Sequence, residues 1–165
     1  MSAIVVLGLM GAGKSTLARA LGERLGRPVR DSDEDIERDE GRTAAEIAGS
    51  DGQEALHVIE ARVLIDALGD PEVVVAGAAS VVDREETRAA LAAPFVVWVD
   101  APVEVLVERF ESRSHRPRYE QDIGHMLRGQ LERRGPWLEQ LTDLRVDATR
   151  HVSELVDEVV AALPA

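Results

Sequence analysis

The sequence predicts an α/β protein in three layers, a parallel central sheet of about five strands flanked by helices, with one short lid. Three observations carry this expectation. Short apolar runs of strand length alternate with amphipathic stretches, the pattern of repeated strand–helix units. The first apolar run, residues 3–7, passes directly into Gly8-Leu9-Met10-Gly11-Ala12-Gly13-Lys14-Ser15, which has the G-x-x-x-x-G-K-[ST] spacing of a phosphate-binding loop. The length of 165 residues implies one domain over 1–165, able to bury roughly 70% of the surface its unfolded form exposes.

The elements follow in order. Residues 3–7 form the first strand, and from Ser15 to Leu21 the apolar residues recur at helical spacing, so the loop joins strand to helix. Pro28-Val29-Arg30 is a second strand ending at Asp31, and Ser32 and Asp33 cap an acidic helix that stops at Gly41. Leu56, Ile59, Val63 and Ala67 mark one face of a longer helix. Residues 72–76 are a third strand, and Asp83 with Glu86 forms a capping box for the next helix. Residues 95–99 read as a buried strand, after which Pro102 opens a helix toward Arg113. The polar, proline-containing stretch Ser114-His115-Arg116-Pro117-Arg118-Tyr119 reads as a lid, at about 112–122. A helix through Leu127 and Leu131, a strand over 144–147 and a helix from about Ser153 to Leu163 complete the chain.

Composition narrows the function. A net charge of -12 argues against a nucleic-acid partner, because phosphate backbones are bound by cationic patches. No basic residue precedes the first apolar run, which ends within the glycine loop, so neither a signal peptide nor a membrane span is expected. With no cysteine, the chain is compatible with a reducing compartment, and a cytoplasmic monomer is expected. The chain also lacks asparagine, which removes the N-K-x-D guanine reader of a GTPase switch.

The only lysine among 19 basic residues is Lys14. In a chain that otherwise uses arginine, this position calls for a slender ammonium that reaches the β- and γ-phosphates of a nucleotide, where a planar guanidinium is too wide. The glycines let backbone amides approach the phosphates, and Ser15 places a hydroxyl on Mg²⁺. Phosphoryl transfer to an alcohol further needs support for the metal, a group that orients or deprotonates the acceptor hydroxyl, and cations on the moving charge. Asp31 suits the metal and Asp33 the acceptor. In an extended stretch residues i and i+2 face the same way, so both carboxylates point into one cleft.

Taken together, Gly8 to Thr16, Asp31-x-Asp33 with Ile36-Glu37, Gly41-Arg42-Thr43-Ala44-Ala45-Glu46-Ile47, Asp51-Gly52-Gln53-Glu54 with Glu60, the arginine-rich lid and Arg134-Gly135-Pro136-Trp137 resemble the shikimate kinases over nearly the whole chain. The resemblance implies a P-loop NTPase fold and a kinase that uses ATP and Mg²⁺. It implies that Gly11, Ala12, Gly13, Lys14, Ser15 and Thr16 bind the nucleotide, with Ser15 and Asp31 on the metal. Asp33 contacts the acceptor hydroxyls and serves as base, Arg116 reaches the transferring phosphates, Arg109 stacks on the adenine, and Arg134 holds the acceptor's carboxylate.

Departures from the family pattern bear on the acceptor. His57 stands where the family has a second carboxylate-binding arginine, and Gly77-Ala78-Ala79 stands where it has three glycines. A guanidinium offers two fixed charge-assisted hydrogen bonds, whereas an imidazole offers one and is mostly neutral near pH 7 unless a partner such as Glu60 raises its pKa. The alanines add methyl groups where backbone amides would approach a ligand and where glycine would adopt positive φ. The sequence therefore predicts an ATP- and Mg²⁺-dependent kinase acting on a hydroxyl of a small polyhydroxylated metabolite, either shikimate or a related cyclitol or hydroxy acid. The acceptor is held by Asp33, His57, Gly77, Ala78 and Arg134. A sugar-acid kinase, a nucleotide kinase and a non-catalytic nucleotide sensor are the alternatives.

Overall fold

The computed structural model describes residues 2–113 and 120–165, with the side chains of 113 and 120–122 excepted. Five strands, β1 (Ile4–Leu7), β2 (Val29–Asp31), β3 (Val74–Ala76), β4 (Phe95–Asp100) and β5 (Leu144–Asp147), pair in the order β2-β3-β1-β4-β5, all parallel. Alternation along the strands sends their side chains to two separate cores. Ile4, Val6, Val74, Ala76, Val97, Val99 and Val146 pack on one face, against helices α1 (Lys14–Leu25), α6 (Val103–Arg113) and α8 (Val152–Ala162). Val5, Leu7, Val73, Val75, Val96 and Trp98 pack on the other, against α4 (Gln53–Ala67) and α7 (Glu120–Leu141). Because both faces are covered, the three inner strands β1, β3 and β4 read as nearly unbroken apolar runs. Trp98 is therefore core.

The strand order reverses at β1, and in such sheets the crevice at the carboxyl ends of the strands receives the ligand. Register aligns those ends, since Val6 pairs with Ala76 and Ala76 with Asp31. The phosphate loop, Asp31 and Gly77 therefore leave the sheet side by side. Gly8 is held to glycine by packing, because a Cβ there would lie 2.5 Å from the Val99 carbonyl oxygen.

One local reading is corrected and two are extended. The segment after Gly41 forms an additional helix, α3 (Ala44–Asp51), which opens with a full capping box between Thr43 and Glu46. It closes a small third cluster in which Ile47 packs with Ile36 of α2 (Ser32–Glu40) and with Leu56 and Val63 of α4. Asp83 does not cap α5 (Glu85–Ala90). Arg84 holds the cap position with no side-chain bond, and the Asp83 carboxylate is taken instead by a guanidinium from α7. Finally, α7 runs 22 residues and carries Pro136 inside it. Proline removes one helical N–H, but Leu131 before it and Leu138 after it are both packed into the core, which holds the helix together across the gap.

Candidate active site

The phosphate loop owes its shape to two glycines in left-handed conformation, Gly11 at φ +83° and Gly13 at φ +95°. Gly13 is the N-cap of α1 and supplies no side-chain cap, so the first amides of the helix, including those of Lys14, Ser15 and the exposed Thr16, are left for an anion. Ala12 is buried beneath the loop. The Lys14 ammonium donates to the Leu9 carbonyl at 3.1 Å. Burial pushes its pKa down, while the charges of Asp33, Asp31 and Glu60 oppose that shift. Arg109, on α6, donates to the Gly11 and Ala12 carbonyls at 3.2 and 3.3 Å and to Ala148 at 2.6 Å, tying the loop to the segment that follows β5.

The two carboxylates after β2 share a cleft by a different geometry from the one expected. The extended conformation ends at Asp31, which is the N-cap of α2 and accepts the Asp33 amide at 3.0 Å. Asp33 therefore sits in the first helical turn. Both nonetheless lie within electrostatic reach of Lys14. Asp31 also accepts the Ser15 hydroxyl, so two hard oxygen donors meet beside the lysine. This pair suits Mg²⁺, which typically takes one or two protein oxygens and fills its octahedron with water and phosphate. Among the described residues no cluster of three or more His, Cys, Asp or Glu side chains forms an all-protein cage. The Asp33 carboxyl is pushed above the ordinary aspartate range, by crowding that strips water from it and then by the Asp31 charge, with Lys14 opposing.

Beyond Asp33 lies a second group of charges. Glu60 on α4 is buried, accepts the Ser80 hydroxyl and is pushed above the usual glutamate range, mainly by burial. It feels the charges of Asp33, Arg134 and Lys14. Arg134, on α7, is 5% exposed and gives Nε and Nη2 to Asp83, at 3.0 and 2.9 Å to Oδ2. His57, also on α4, is held below the usual imidazole range, first by burial and then by Arg134. Glu60 is not among the charges that act most on it. Asp83 and Glu54 are the carboxylates that pull His57 the other way, and they do not prevail.

The alanines also behave differently from expectation. Ala78 is extended at φ -69°, no residue but glycine has positive φ among those described, and Ala79 starts a 3-10 turn with its side chain in the core. The loop accepts both alanines without strain. Gly77 is glycine for packing, because a Cβ would meet Leu7 Cδ2 at 2.9 Å. Arg116 and most of the expected lid lie outside the described residues. Sequence reasoning undervalued Glu60 and misread Asp83. Glu60 had a signal, a carboxylate set into the apolar stripe of Leu56, Val63 and Ala67, but Asp83 had none.

Comparison with known proteins agrees with this geometry. A family model described as "Shikimate kinase" matches residues 10–164. Shikimate kinases of Symbiobacterium thermophilum and Thermobifida fusca are each 36% identical to the chain, over 97% of it and 95% of the former protein, and over 98% of it and 94% of the latter. Among solved structures, the shikimate kinase of Acinetobacter baumannii in complex with shikimate superposes with a TM-score of 0.86 at 27% identity, covering 97% of this chain and 91% of that one. A gluconokinase from Sinorhizobium meliloti is more distant, with a TM-score of 0.63 at 25% identity and coverage of 98% and 90%.

Proposed function

This chain belongs to the shikimate kinase family and is therefore a kinase that phosphorylates a hydroxyl of a small metabolite, and we propose the following division of labour within it. Gly11, Ala12, Gly13, Lys14, Ser15 and Thr16 hold the phosphates of ATP, with Lys14 at the β- and γ-phosphates. Ser15 and Asp31 hold Mg²⁺, which when bound supplies charge neutralisation between those phosphates. Arg109 sits against the adenine while keeping the loop in place, and Arg116 acts on the transferring phosphoryl group. Asp33 orients the acceptor hydroxyl and accepts its proton. His57, Gly77, Ala78 and Arg134 line the acceptor, a ring bearing several hydroxyls such as shikimate or a related cyclitol or hydroxy acid.

The observation that carries this reading is the run of charges from Lys14 through Asp33 and Glu60 to Arg134. It sets a phosphate-holding cation and a hydroxyl-orienting carboxylate within electrostatic reach of each other, with the buried Arg134 acting on Glu60. A nucleotide sensor would need only the first part. We read the enzyme as a cytoplasmic monomer; no described helix is long and apolar enough to cross a membrane. The test is ADP release from ATP over a panel of small alcohols that includes shikimate. Release should need both Mg²⁺ and one of the cyclic polyols. If ATP binds and no acceptor raises ADP release above the level with ATP alone, the sensor reading replaces this one.

A further inference from the structure

Gly77 and Ala78 lead from β3 into the 3-10 turn at Ala79–Asp83, where Ser80 is 4% exposed and donates its hydroxyl to Glu60 Oε2. The turn is a fixed anchor. Thr87, fully buried on α5, places its hydroxyl between the Val81 carbonyl and the Arg84 carbonyl, the latter at 3.0 Å, and Arg88 donates to the Val82 carbonyl at 2.9 Å. Ser80 therefore holds one oxygen of Glu60 from a rigid base. The other oxygen, Oε1, takes no hydrogen bond from the described residues and is not sealed from solvent. A carboxylate has about four acceptor sites, and one hydroxyl is poor compensation for a glutamate set among Leu56, Val63 and Ala67. Its charge acts together with those of Asp33, Arg134 and Lys14.

We propose that Ser80 is a positioning residue for the acceptor: it holds Glu60 by Oε2 so that Oε1 stays free to accept a second ring hydroxyl, beside the one that Asp33 takes. Packing does not call for a charge at this place, since apolar side chains of similar volume fill such positions at equal or lower cost. A ligand hydroxyl supplies the donor that the protein leaves out, and a hydrogen bond to a carboxylate is roughly twice as strong as one between neutral groups. Without the serine hydroxyl the carboxylate turns about its terminal torsion, whose wells are broad, and Oε1 loses its aim. This proposal rests on the kinase reading given above.

The test is a double-mutant cycle read as the KM for shikimate at saturating ATP and Mg²⁺, together with kcat and the Kd of ATP. Ser80→Ala should raise KM by about tenfold, the low end for a hydrogen bond to a charged group, and leave kcat and the ATP Kd within about twofold. In a Glu60→Ala background the same change should move KM by less than about twofold, because its target is gone. A parental KM in folded Ser80→Ala overturns the proposal and leaves the kinase reading intact. So does a rise that persists in the Glu60→Ala background, since Ser80 would then act without Glu60. If Ser80→Ala does not fold, Ser80→Cys keeps the volume and weakens the donor, and its KM decides: a rise of about threefold supports the proposal and a parental value overturns it. No shikimate-dependent ADP release from the parent overturns this proposal, and silence over the whole acceptor panel overturns the kinase reading as well.

Discussion

Lys14 is subject to opposing effects: burial disfavours its charge, and three carboxylates favour it. The carboxylates favour an ammonium where the proposed site needs one for a nucleotide's phosphates. Lys14→Arg preserves the charge but not the slender reach, so turnover should fall by about 10²-fold or more in an ADP-release assay. Near-parental turnover would show that charge alone suffices there. Asp31 and Asp33 should separate kinetically, because one accepts the Ser15 hydroxyl and the other is the residue proposed to orient the acceptor. Asp33→Asn should leave ATP affinity close to the parent's and remove most phosphoryl transfer, whereas Asp31→Ala should raise the Mg²⁺ concentration needed for half-maximal rate. Identical Mg²⁺ titrations in the two variants would contradict this division.

Between elements, Glu60 joins α4 to the 3-10 turn at Ala79–Asp83 through the Ser80 hydroxyl. Burial sets its pKa above the usual glutamate value, so the native state binds this proton more tightly than the unfolded chain does. The stability it contributes is fully present below the unfolded pKa of about 4.3 and is lost as the pH rises through the higher folded value. Above that folded value the ionised carboxylate is a liability that the fold carries for its site. Glu60→Gln keeps an oxygen for Ser80 and removes the charge. Its Tm at pH 7 should therefore exceed the parent's by a few degrees, with the gap closing toward pH 4. A Tm below the parent's at pH 7 would mean that Arg134 and Lys14 compensate the charge fully.

Across the whole molecule, a net charge of -12 opposes an anionic ligand, but charges beyond about 8 Å are largely screened at physiological salt. The local loop amides and Lys14 therefore decide nucleotide binding. ATP with Mg²⁺ at 100 times its Kd should stabilise the fold by about 2.7 kcal/mol, which for a chain of this size raises Tm by about 5 to 10 °C. Lys14→Ala should lose most of that shift. A parent with no shift, tested at millimolar nucleotide, would count against an ATP site.

The sequence by itself determined the layers and the nucleotide end of the site. Strand-length apolar runs, glycines that must take positive φ and one lysine among arginines are local signals, and local sterics and chemistry enforce them wherever the chain goes. The acceptor end was decided by tertiary structure. Asp83 and Arg134 stand 51 residues apart and meet because α7 packs across the 3-10 turn, held by Leu138 on one side and by Val81 and Val82 on the other. No spacing rule connects such a pair. In sequence Asp83 has the form of a helix cap, and the guanidinium it accepts outcompetes a backbone amide because a buried charge left unpaired costs more than an uncapped helix end open to water.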